Sequence, residues 1–245
     1  MPDAGLVSSR VVSVPLVVAI GSKFGKYRPE EEKEVRKVDV KKDEVLRQLK
    51  DAWRRYGPRS WGVYIHEDAL EAVRKISYTA ADVEKFTIAL AEFQNERDLS
   101  VKAGVFLSAL INNGKEIDFV IHTGHLTEGI NYLGYENTKN ILVNGNIGDY
   151  VGEQMKGGTI VVNGTAGKYV GDGMKGGAIL VNGNTDTAVG CVIRGGTITV
   201  NGNASDFVGD CMKGGEIHLN GGYGSIAETI KKGKIYHKGV LIVGK

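Results

Sequence analysis

Few side chains in this chain are of types that do chemistry, and their spacing decides what they are for. His122 and His125 form a His-x-x-His at the end of an apolar stretch. Two imidazoles so placed suit a metal ion only when a third ligand is near, and none follows in sequence. The competing reading is two ordinary polar side chains at a strand end. His218 and His237 fall in columns of a repeat, which points to the surface or an interface. Cys191 and Cys211 lack zinc-site spacing, so two small, partly buried residues in a reducing cytosol is the plainer reading. No order of Ser, His and Asp or of Cys and His marks a nucleophilic triad. Asn144-Gly145-Asn146-Ile147-Gly148 imitates a nucleotide fingerprint. A dinucleotide site needs one such loop between a strand and a helix. Here the loop recurs with no helix after it, so corner geometry explains it better.

Charge recurs in the same way. One column reads Glu153, Asp172, Cys191, Asp210; another reads Lys156, Lys175, Arg194, Lys213, Lys231. Five stacked cations repel one another unless they are solvated, paired with the acidic column, or covered by an acidic partner. The basic column is therefore a candidate partner-facing surface.

The elements that carry these columns repeat over 141–233. Blocks beginning at Thr159, Ala178 and Thr197 are nineteen residues long, and the block from Glu216 is one shorter. A fixed period of this size is the mark of a repeat architecture. Ile141, Ile160, Ile179, Ile198, Ile217 and Ile235 form one apolar column, and Val143, Val162, Val181, Val200 and Leu219 another two residues on. Period two means a strand. Further apolar columns run through Val151 and Met155 and their repeats. The pattern predicts a parallel β-helix with short strands on each side, right-handed because parallel crossovers almost always are. Asn144, Asn163, Asn182, Asn201 and Asn220 then stack as a side-chain amide ladder.

The phrase Asn-Gly-x-x-Gly-x-x-Val-Gly-x-x-Met-Lys-Gly-Gly resembles the GXGXG repeat of the glutamate synthase large subunit. It is also similar to the scaffold subunit of formylmethanofuran dehydrogenase. The resemblance covers about 119–245. It implies a right-handed parallel β-helix that scaffolds an oxidoreductase complex, with the amidotransferase, flavin and iron–sulfur centres on partner subunits. It implies no catalytic, cofactor-binding or metal residue in this chain.

Of 35 glycines, 28 follow Glu116, which divides the chain into a mainly helical 1–116 and the β-helix 117–245. From Ile117 on there are 11 basic and 11 acidic residues, and the net charge is +2; this argues against a nucleic-acid or membrane-surface domain. Val11 to Ile20 is apolar, too short to span a membrane, and reads as a strand or extended arm. Pro29 to Lys42 reads as a charged lead-in. Helices are expected over Asp43 to Tyr56, Glu67 to Ile76, from the Thr79-x-x-Asp82 capping box through Phe93, and Val101 to Asn112 with Ser100 as cap. Trp61 to Ile65 suggests a short strand, and Phe119 to Thr123 a degenerate opening turn.

The outward column runs Leu142, Val161, Leu180, Thr199, His218, Tyr236. Three bare aliphatics in a row are unusual on a monomer. The helical half or a second copy is expected to cover them, leaving the column open from Thr199. Three functions compete: a cytoplasmic scaffold as the resemblance implies, an acyltransferase on a left-handed β-helix, and a stand-alone binding module. The acyltransferase needs an apolar residue every sixth position, which Glu153 breaks.

Overall fold

The protein is described by a computed structural model over residues 43–58 and 64–245. The stretches Val11 to Ile20 and Pro29 to Lys42 lie outside the described residues, as do positions 61–63 of the suggested short strand. Tyr64 and Ile65, its remainder, are not in a strand; Ile65 is the N-cap of a helix. All described residues belong to one compact unit, Lys41–Lys245.

Four α-helices come first: α1 (Glu44–Arg55), α2 (His66–Val73), α3 (Ala80–Ala89), continued by a 3-10 turn over Leu90–Phe93, and α4 (Leu99–Asn113). Asp43 caps α1 by accepting from the Leu46 N–H, and both bonds of the Thr79/Asp82 capping box are made. Ser100 does not cap α4. Asp98 holds that place in a left-handed conformation, and Ser100 Oγ instead donates to the Gly129 carbonyl. The side chains at the centre are aromatic: Trp53 meets Phe93 and Phe106 at 5.5 Å each.

A parallel solenoid follows. Its strands are β1 (Asp118–His122), β2 (Asn140–Asn144), β3 (Thr159–Asn163), β4 (Ala178–Val181), β5 (Thr197–Val200), β6 (Lys213–Leu219) and β7 (Lys232–His237), stacked in sequence order in one sheet. Ile160 faces Ile179 and Val162 faces Val181 across β3 and β4, and the pairs from β1 to β6 align in the same way, while the β6–β7 pair shifts register between Lys213 and Glu216. The inward Ile and Val columns are buried. The final strand, β8 (Val240–Gly244), runs antiparallel to β7. Lys238 and Gly239 both have positive φ, at 49° and 78°. That pair of left-handed residues is the two-residue hairpin turn whose twist matches the strands it joins.

Each turn carries one regular strand, not one per side. Val151 and Met155 and their repeats are buried as the periodicity predicts, but they ride on a chain of left-handed corners. Tyr150, Gly152 and Gln154 have φ of 61°, 69° and 54°, and the later turns repeat this. Alternating positive φ cannot extend into a strand. The turns remain bonded there: the Gly152, Gly171, Gly190 and Gly209 N–H groups donate to the carbonyls of Leu133, Val151, Val170 and Val189. A Cβ on Gly171 would come within 2.4 Å of the Ile198 side chain. The repeated Val-Gly is therefore a steric requirement of the inward Ile column.

The helices plug the first turn of the solenoid. Phe106, Leu107, Leu110 and Ile111 of α4 join Phe119, Ile121, Ile130 and Leu133 in one continuous core. The change of secondary structure at 116/117 is thus not a break in the core. Ser108 Oγ lies 2.7 Å from the Gly104 carbonyl and 3.0 Å from the Tyr132 carbonyl, and it accepts from the Gly134 N–H at 2.9 Å. Gly104 allows the approach, since a Cβ there would fall 1.6 Å from the Asn131 carbonyl oxygen.

Candidate functional site

Period alone lines up three rows along the solenoid. In the asparagine row, Asn163 Nδ2 donates to Asn144 Oδ1 at 3.2 Å, and Asn182, Asn201 and Asn220 continue at 2.8 Å each. From Asn163 on these side chains are exposed, so the ladder runs along an edge in contact with water. A second ladder lies beside it, in which Asn146 and Asn184 Oδ1 accept from the N–H groups of Thr165 and Asn203 one turn on.

The basic and acidic rows do not neutralise each other. Lys156 pairs with Glu136 at 2.9 Å, outside the acidic row. Lys175, Arg194, Lys213 and Lys231 are exposed and have no carboxylate within ion-pair distance among the described residues. The acidic row is half-buried instead. Burial first, then Asp172 one turn away, pushes the Glu153 carboxyl above its ordinary value. Burial also raises Asp172, opposed by its hydrogen bonds with Cys191 and the Gly173 N–H. Asp172 Oδ1 is enclosed and has no hydrogen-bond partner. Burial pushes the Cys191 thiol up to about 12, so it stays protonated, and both cysteines are free.

The helices do not cover the outward column. Leu142, Val161, Leu180, Thr199, His218 and Tyr236 are all half-buried, with no change at Thr199. A groove lined by residues of β1 to β3, Leu142 and Val161 among them, lies open over the first members. The reason is area: the open end of a coil exposes a whole apolar cross-section, far more than one stripe of side chains. The helices therefore cap the end.

His122 and His125 both reach α3. His122 Nε2 lies 2.8 Å from Glu84 Oε1, and His125 Nε2 donates to the Thr87 carbonyl at 3.1 Å. The pair fastens α3 to the first strand. Among the described residues no group of three His, Cys, Asp or Glu side chains is placed to hold a metal ion. His218 stacks on Tyr236 at 4.6 Å, and His237 donates to the Gly221 carbonyl.

One cavity, of about 470 Å³, lies at the junction of helices and solenoid. Val101 and Val105 of α4 give it an apolar wall. Tyr132, Tyr135 and Glu153 come from the first two turns, and Tyr64 and Glu67 from the start of α2. The sequence does not announce this site, because its residues come from three segments and only Tyr132 and Glu153 belong to repeat columns. Tyr132 is the first ring of a stack with Tyr150 and Tyr169, at 4.7 and 4.8 Å, and this run of three tyrosines, which gives way to Ala188 and Phe207, was the one available signal. His66 also lines the cavity, but its ring is engaged. Nε2 is 3.3 Å from Asn112 Nδ2, and burial holds its pKa below the usual value, so it is a neutral wall.

Compared with known proteins, the chain matches no family model and no curated protein. No helix among the described residues is long and apolar enough to cross a membrane.

Proposed function

We propose that this chain is a scaffold subunit of an oxidoreductase complex of the glutamate synthase kind. In this reading it holds amidotransferase and flavin subunits in place and supplies no catalytic group of its own. The observation that carries the reading is a pair of uncovered rows on a stiff, hydrogen-bonded coil: the half-buried aliphatics Leu142, Val161 and Leu180, and the unpaired cations from Lys175 to Lys231. Ordered arrays of this length cost charge repulsion and exposed apolar area, and an acidic, apolar partner surface would relieve both. Flavin and iron–sulfur centres belong to the partners in this proposal, and the complex is cytoplasmic.

The test is recovery of the chain from its host with its partners identified. A flavin-dependent synthase subunit and a glutamine amidotransferase subunit are expected in stoichiometric amounts. Val161→Asp, or Lys175→Glu with Arg194→Glu, should release them without changing the thermal melt of the isolated chain. Molybdopterin-bearing partners would assign it instead to a complex like formylmethanofuran dehydrogenase. Stoichiometric flavin in the purified chain, or glutamine hydrolysis by it alone, would overturn the proposal.

A further inference from the structure

We propose that the cavity between α2, α4 and the first two turns is a binding site for an organic ammonium group carried on an apolar stem. Its walls supply both halves of that chemistry. Val101 and Val105 offer an apolar surface, and Tyr64, Tyr132 and Tyr135 line the space with aromatic residues of the kind that attract a cation. Burial raises the pKa of all three phenols, so they remain neutral. Tyr132 has Tyr150 on one face only; the stack ends there, at the cavity.

The anionic half is Glu153. It lines the cavity half-buried, with no ion pair or hydrogen bond to its carboxylate among the described residues. A partly desolvated carboxylate is costly unless a cation meets it. None of the protein's own groups does so. Lys156 is held by Glu136, and His66 is neutral. Asp172, one turn on, adds negative potential, and Glu67 adds an exposed carboxylate at the rim. No Lys or Arg lines the cavity among the described residues. An anion would therefore be repelled, and a neutral ligand would leave Glu153 unpaired. At about 470 Å³ the space is of the size that small-molecule sites occupy.

The ammonium could belong to a free amine or to a lysine side chain of a partner, and two probes separate these sources. The full chain is titrated calorimetrically with phenethylammonium, with Nα-acetyl-lysine amide, and with uncharged 2-phenylethanol. Saturable one-site binding of at least one ammonium probe is expected below about 10 mM, with no saturation by the alcohol. Preference for phenethylammonium assigns the site to free amines, and preference for the lysine amide assigns it to a partner's lysine. Glu153→Gln, which keeps the shape and removes the charge, should weaken binding about tenfold or more with a melt no lower than that of the unaltered chain. Val105→Trp fills the cavity from the opposite wall and should abolish binding. If that variant fails to fold, the Gln variant and the alcohol still decide. Alcohol binding as tight as the ammonium's, unchanged affinity in Glu153→Gln, or no saturation by either ammonium at about 10 mM would overturn the proposal.

Discussion

The middle turns and the plugged first turn solve the same problem by opposite means. Between β3 and β5 each turn advances nineteen residues and meets its neighbour through identical columns, so every contact is made several times. The first turn advances from Asp118 to Asn140, a step of 140 − 118 = 22, and its contacts occur once. Ser108, Gly104, His122 and His125 each make a bond or close approach that no other turn repeats. Repetition spreads the energy over many replaceable rungs, whereas closing the end concentrates it in a few residues. Damage at the plug should therefore exceed damage of the same chemical kind in the coil.

The largest effect is expected from the two glycines compared directly. Gly104→Ala drives a methyl onto a backbone carbonyl, which cannot move without lifting α4 off the first turn; a loss on the order of 3 kcal/mol or more is expected. Gly171→Ala meets only the end of the Ile198 side chain, plus the strain of φ +70°. About 1–2 kcal/mol is expected there. Chemical denaturation of both variants decides the matter, and an equal or reversed order would break the comparison.

Ser108→Ala comes next. It leaves the Gly134 N–H buried beside a methyl, for an expected loss of about 1–3 kcal/mol. Hydrogen exchange should localise the added opening to α4 and the first turn. Uniform loosening along the coil would show that the plug and the coil are not separable.

Asp172→Asn should stabilise the middle turns. Burial raises this carboxyl above its unfolded value, so the folded chain gives up the proton less readily than the unfolded chain. The penalty is full above the folded value, shrinks as pH falls through it, and is gone below the unfolded value. A gain of about 0.5–1 kcal/mol is expected at neutral pH after allowing for partial exposure, disappearing in acid. A gain that persists at low pH would trace to packing, not charge.

A change of similar size is expected in the ladder. Asn182→Ala removes two exposed amide bonds and should cost about 0.5–1.5 kcal/mol, while Asn220→Ala at the end of the row should cost less. Equal losses at both positions would mean that the number of ladder bonds does not set the cost.

The coil was legible in the sequence because period two and period nineteen are local signals: identical residues at fixed spacing must stack, and the Ile, Val and Asn columns could do nothing else. The helices were legible from caps and apolar stripes for the same reason. Three things were not. The left-handed corners under Val151 and Met155 replaced a second strand, since the same glycines that mark a turn also forbid extension. The helices, one of the two covers predicted for Leu142, Val161 and Leu180, went to the end of the coil, because the bare cross-section there is larger than a stripe. The cavity at Glu153 drew its walls from three distant segments. Columns within a repeat are fixed by spacing along the chain. Where the helices dock, which charges lose their partners and which tyrosines share a pocket depend on contacts between residues far apart in sequence, and only the tertiary structure decides those.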